Sequence, residues 1–181
     1  MSTKKITINA ILLGIGALLH QITPALGLAM QPDFSLMMLF IIMILNKNDY
    51  KVTLVSAIVT GFFTAMTTKF PGGQIPNIID KIVTANVVYF IIYIFNHTNS
   101  LNKLNDKKRK NLILYTVFPI GTLLSGSIFL ITALAIVGLP ASFTLLFLTV
   151  VIPSTIINLI AGIFMYNIVE VSLKRIGYKT M

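Results

Sequence analysis

The sequence predicts an all-α polytopic membrane protein, a bundle of six transmembrane helices with both termini in the cytoplasm. Three observations carry this. Of 181 residues, 56% are hydrophobic and only 10% are charged, against about 25% charged in an ordinary soluble domain. The mean hydropathy is +0.89, so lipid must be the solvent for most of the surface. The basic residues fall unevenly among the connections between apolar runs, and that split sets an orientation. Residues 1–181 are expected to form a single integral membrane domain.

The first apolar run, Ile6 to Ile22, is close to the roughly 20 residues a helix needs to cross the hydrocarbon core. Pro24 and Gly27 end it. Lys4 and Lys5 ahead of it resemble the start of a signal peptide, but no clear small-x-small cleavage site follows, so a retained first helix is expected. The second run, Phe34 to Leu45, is short for a full span. It is expected to begin within the loop around Pro32 or to sit tilted in a thin region. The third runs from Val52 to Thr68 and the fourth from Asn77 to Phe95, separated by the breaker cluster Lys69-Phe-Pro-Gly-Gly-Gln-Ile-Pro76. A polar stretch from His97 to Lys110 follows. The fifth run is Asn111 to Val137, closed by Gly138-Leu-Pro140, and the sixth is Ser142 to Val171. Pro153 inside the sixth should kink it and free a carbonyl.

With six spans, Lys4, Lys5, Lys47, Lys51, Lys103, Lys107, Lys108, Arg109, Lys110, Lys174, Arg175 and Lys179 share one side, and only Lys69 and Lys81 lie on the other. The positive-inside rule makes the first side cytoplasmic. The net charge of +9 is thereby explained by topology rather than by nucleic acid. Small residues recur at helical spacing in Ala10 and Gly14, in Ala57, Gly61 and Ala65, and in Gly121 and Ser125. Such rows let helices approach closely in lipid. Each serves either packing within the bundle or, for the first row, docking of a partner.

Polar groups within or near the membrane are costly and therefore informative. Most of them gather on the outer side: His20, Gln31, Asp33, Thr64, Thr67, Thr68, Gln74, Asn77, Asp80 and Lys81, with Asn86 and Asn158 deeper. This asymmetry points to a site open to the exterior. Asp33, after Pro32, reads as the N-cap of the second helix, as a ligand contact, or as both. Asn77 and Asp80 read as a cap and its return bond, or as ligand contacts, and Lys81 as an edge ion pair or a carboxylate anchor. The helix start after Pro76 is a further candidate anion site. His20 is either an interior hydrogen-bonding group or a contact.

Other chemistries find little support. The chain has no cysteine, so it has no disulfide or thiolate site. Its two histidines, His20 and His97, fall on opposite sides of the membrane and cannot share a metal. Ser125-Gly126-Ser127 suggests a serine nucleophile only weakly, because no histidine lies at a comparable depth. No channel filter is evident. No cofactor is implied, and without a GxxxxGK[ST] phosphate loop any ATP must be used by another subunit.

Leu19-His20 to Pro24, Gln31-Pro-Asp33, Thr67-Thr-x-Phe-Pro-Gly-Gly-Gln-Ile-Pro-Asn77-Ile-Ile-Asp-Lys81, Ser125-Gly126 and Val137-Gly-Leu-Pro140 together resemble the TrpP-type tryptophan transporter family. The resemblance covers essentially the whole chain. It implies uptake of tryptophan, and the size and span count look like the substrate-binding S component of an energy-coupling-factor transporter. A membrane coupling subunit and two cytoplasmic ATPases would then be partners. Ala10 and Gly14 would form the docking row, with glycine replacing the more usual second alanine. The alternatives are a stand-alone secondary amino-acid carrier and a structural or regulatory membrane protein without a ligand. For tryptophan, Asp33 or Asp80 would take the ammonium. Asn158, Asn77 or Gln74 would accept from the indole N–H, and Phe62, Phe63, Phe70 or Phe143 would supply walls.

Overall fold

The computed structural model describes residues 3–25, 31–47, 49–98 and 105–178. Gly27, Lys103 and Lys179 lie outside the described residues. Among the described residues six helices form the bundle: α1 (Thr3–Ile22), α2 (Phe34–Asn46), α3 (Tyr50–Thr67), α4 (Gln74–His97), α5 (Asp106–Ile136) and α6 (Phe143–Arg175). The described residues contain no strand. All but α2 are long and apolar enough to cross a membrane.

The short second run has a specific place in this arrangement. At 1.5 Å per residue α2 is only about 20 Å long, yet every residue from Ser35 to Ile44 is buried. A helix that is apolar all round is enclosed by protein. The other helices wrap α2, so it need not match the thickness of the bilayer. Asp33 begins it by accepting from the Leu36 amide at 2.9 Å, which makes Asp33 the N-cap.

α4 extends beyond its expected run at both ends and α5 at its start. α4 begins at Gln74, so Pro76 lies within its first turn, where a missing N–H costs nothing. Asn77 is consequently not the cap. That position is Gly73, and Asn77 instead donates to the Gly73 carbonyl at 2.8 Å. α6 is wound differently just before Pro153. Residues Phe147–Val151 form a π turn, and the Ile152 amide reaches back to the Phe147 carbonyl. A π bulge of this kind commonly accompanies functional sites.

Glycines set how closely the helices meet. A side chain at Gly121 on α5 would collide with the Phe40 ring of α2, and one at Gly162 on α6 with the Phe118 ring. Phe40 and Phe118 are fully buried and pack edge to face at 6.0 Å. Ala57, Gly61 and Ala65 are buried on the inner face of α3, where Gly61 lies against Ile78 of α4, so this row packs the bundle. The Ala10 and Gly14 row is different. Ala10 is exposed, and nothing stands within 4 Å of where a Gly14 side chain would be.

Lys4 donates to the Ile176 carbonyl at 3.0 Å, Lys5 pairs with Asp49 at 2.6 Å and Lys110 with Glu170 at 2.8 Å. These contacts place both described termini at one end of the bundle. His20, Asp33, Lys69 and the start of α4 lie at the other.

Candidate functional site

At the end opposite the termini the helices part around a cavity of about 610 Å³, its open mouth included. The cavity has a charged side and an apolar side.

Asp33 and Lys81 pair at 2.7 Å across the α2–α4 boundary, and Lys81 also pairs with its neighbour Asp80. Lys81 and Asp80 are almost wholly buried, whereas the Asp33 side chain keeps 17% exposure. Asp80 accepts two further hydrogens, from Thr84 Oγ1 at 2.9 Å and from Ser125 Oγ at 2.8 Å. This explains the placement of Ser125, whose hydroxyl holds a carboxylate. Buried ions are tolerated when each is paired and hydrogen-bonded, and this cluster meets that condition.

Lys69 adds a second cation at the mouth. It donates to the Thr23 carbonyl and lines the cavity. The turn that carries it relies on Gly72, whose φ of +72° lies in the left-handed region and whose missing side chain leaves room for Val137. His20 Nδ1 lies 2.7 Å from Thr67 Oγ1, and the Gln31 amide donates to the His20 carbonyl at 2.8 Å.

The apolar side is built by Leu36, Phe70, Phe129, Val150 and Val151. Phe70 and Phe129 meet edge to face at 5.3 Å. The π turn of α6 contributes Val150 and Val151, and one turn further on the same helix presents Ser154 and Asn158. Three lining polar atoms are buried without a protein partner among the described residues: Gln31 Oε1, Ser154 Oγ and Asn158 Oδ1. Asn158 itself is fully buried, with its amide nitrogen 3.4 Å from Thr122 Oγ1. Buried polar atoms without a partner occur elsewhere in the bundle too, as at Asn9, Thr53 and Tyr166, so these three mark polar places on the lining.

Of the residues expected from sequence, His20, Asp33, Asn77, Asp80, Lys81 and Asn158 converge on this cavity. Gln74 does not. It is exposed on the first turn of α4, because the helix starts three residues earlier than expected. Among the expected walls only Phe70 lines the cavity; Phe62 is 57% exposed and Phe143 stacks on Phe147 instead. Asn86 is taken up by Tyr50 and the Ile82 carbonyl. The sequence marks neither Lys69, Phe129 nor Ser154 as a site residue, and it offers Ser125 only as a weak nucleophile candidate, whereas here Ser125 donates to Asp80. The signal for Lys69 was present in the charge map, where it is one of two cations on its side. No group of residues able to hold a metal ion occurs among the described residues.

A family model described as tryptophan transporter TrpP matches residues 2–174. The chain belongs to the TrpP family. A probable tryptophan transport protein of Clostridium perfringens is 59% identical over 174 residues, covering 96% of this chain and 95% of that protein. Probable tryptophan transport proteins of Clostridium acetobutylicum and Bacillus subtilis are 48% and 42% identical, each covering at least 96% of both chains. No solved structure matches the chain. The relatives carry the names of transport proteins.

Proposed function

We propose that the chain binds tryptophan from the outer side of the cell membrane, in the cavity between α1, α2, α4, α5 and α6, for uptake. The observation that carries this reading is the juxtaposition of a paired ion cluster with an aromatic wall that ends in an unpartnered acceptor. A zwitterion needs both charges answered at one end. An indole needs apolar walls and one acceptor for its N–H. Asn158 Oδ1, buried without a protein partner on the same lining as Phe129 and Val151, is that acceptor. Asn77 and His20 complete the polar rim. The names of the relatives support tryptophan as the substrate.

The chain is further proposed to act as the substrate-binding subunit of an energy-coupling-factor importer of the ABC type. A membrane coupling subunit and two cytoplasmic ATPases would be its partners. Six helices without a phosphate loop support this, as does the uncovered Ala10 and Gly14 row on α1, which would be the docking strip. The concentration of basic residues at the termini end supports cytoplasmic termini.

The test is calorimetry of tryptophan binding to the purified protein in detergent, with tyrosine, histidine and riboflavin as controls. Saturable binding of tryptophan is expected. Asn158→Leu should weaken it about tenfold to a hundredfold, because the indole N–H would be buried unpaired. Absence of binding by any amino acid, in a sample that is folded, would sink the reading.

A further inference from the structure

The two carboxylates of the cluster are not equivalent. Asp80 is saturated, accepting from Lys81, Thr84 and Ser125, and its side chain is 1% exposed. Asp33 spends Oδ1 on the Leu36 amide, has Lys81 on Oδ2, and still reaches the cavity. An ammonium group has three donors, so Lys81 has one left after its two carboxylates.

The charges lining the cavity are Asp33, Asp80, Lys69 and Lys81, and with His20 neutral they balance. A ligand of net charge would leave one buried ion uncompensated. A ligand carrying an ammonium and a carboxylate on neighbouring atoms would not. It can exchange the single Asp33–Lys81 pair for two pairs, its ammonium on Asp33 and its carboxylate on Lys81. The unpartnered Gln31 Oε1, Ser154 Oγ and Asn158 Oδ1 add polar places on the same lining.

We propose that the cavity admits only ligands whose α-ammonium and α-carboxylate are both free, by opening the Asp33–Lys81 pair and inserting between its halves. This rests on the amino-acid reading above. Asp80 is then a positioning residue: it keeps Lys81 in place while Asp33 changes partners. Amines, deaminated acids, esters and peptide-linked residues with the same side chain are excluded, however well the aromatic wall fits them.

The experiment is a calorimetric series on the unmodified protein in detergent with tryptophan, tryptamine, indole-3-propionate and tryptophan methyl ester. Removing either ligand charge should weaken binding about a hundredfold or more, the scale on which a buried charge left unpaired costs affinity. Tryptophan binding with tryptamine or indole-3-propionate within about threefold of it would overturn the exchange while leaving the amino-acid reading intact. No tryptophan binding at all would overturn both. Asp33→Asn sharpens the assignment, since asparagine still caps α2. In this variant the preference for tryptophan over indole-3-propionate should shrink to about tenfold or less, while the preference over tryptamine persists. An unchanged preference over indole-3-propionate would overturn the role given to Asp33.

Discussion

At the end that carries the termini, Lys5 pairs with Asp49 while both side chains stay partly exposed, and Glu170 is held between Lys110 and a largely exposed Lys174. At the cavity end, Lys81 and Asp80 are sealed from solvent, and only Asp33 keeps an opening. Between the two, the Phe40 and Phe118 rings fill the notches left by Gly121 and Gly162 and close the bundle below the cavity. The same pairing chemistry therefore does two jobs. Where water reaches the ions, as at Lys5, Asp49 and Lys174, they decorate a surface, while Glu170 is buried beneath its two lysines. Where it does not, each ion is held by the others, and the one with spare capacity faces the place a ligand would enter.

The comparison breaks most visibly at Lys81. Lys81→Met leaves two carboxylates buried without their cation, so thermal unfolding in detergent should reveal a loss of about 3–5 kcal/mol. Tryptophan binding should disappear with it. A variant as stable as the parent would mean that the cluster is hydrated and the contrast between the two ends is false. Gly162→Ala tests the closed region, where the new methyl must displace Phe118 and should cost about 1–3 kcal/mol. Gly14→Ala, facing open space on α1, should stay within about 0.5 kcal/mol by the same melt. Equal shifts in the two variants would contradict the packing described.

A small effect also belongs to the exposed pairs. Asp49→Asn should cost about 1 kcal/mol or less. The hydrogen bond from Lys5 holds the Asp49 carboxyl below its usual range. A lowered folded value means that the contribution is complete above the ordinary carboxylate pKa and fades as the pH falls through the folded one. A pH series of melting temperatures should therefore show parent and variant converging only below about pH 4.

Much of this was legible before any coordinates. The apolar runs marked every helix to within a few residues at each end, because nothing but a helix satisfies the backbone in lipid. Asp33 was readable as a cap from its place after Pro32, and Asp80 and Lys81 stood out because ions inside apolar runs are rare. Facing was less legible. Gln74 and Asn77 both looked available, but starting the helix at Gln74 turns one to solvent and the other to the cavity. The aromatic wall was hidden for the same reason: phenylalanine at a lipid-facing and at a cavity-facing position looks alike in a sequence. The π turn before Pro153, which sets where Val150 and Val151 point, leaves no compositional trace.

The enclosed second helix bears on how the protein is made. A segment of 13 residues falls well short of the roughly 30 Å hydrocarbon layer, and its usual neighbours are side chains rather than acyl chains. As the nascent chain leaves the ribosome, α2 has no stable place in lipid by itself. Its lodging is assembled around it by α1 and α3 and completed only when α4, α5 and α6 arrive. The helix at the centre of the finished bundle is thus the one whose insertion depends most on the segments synthesised after it.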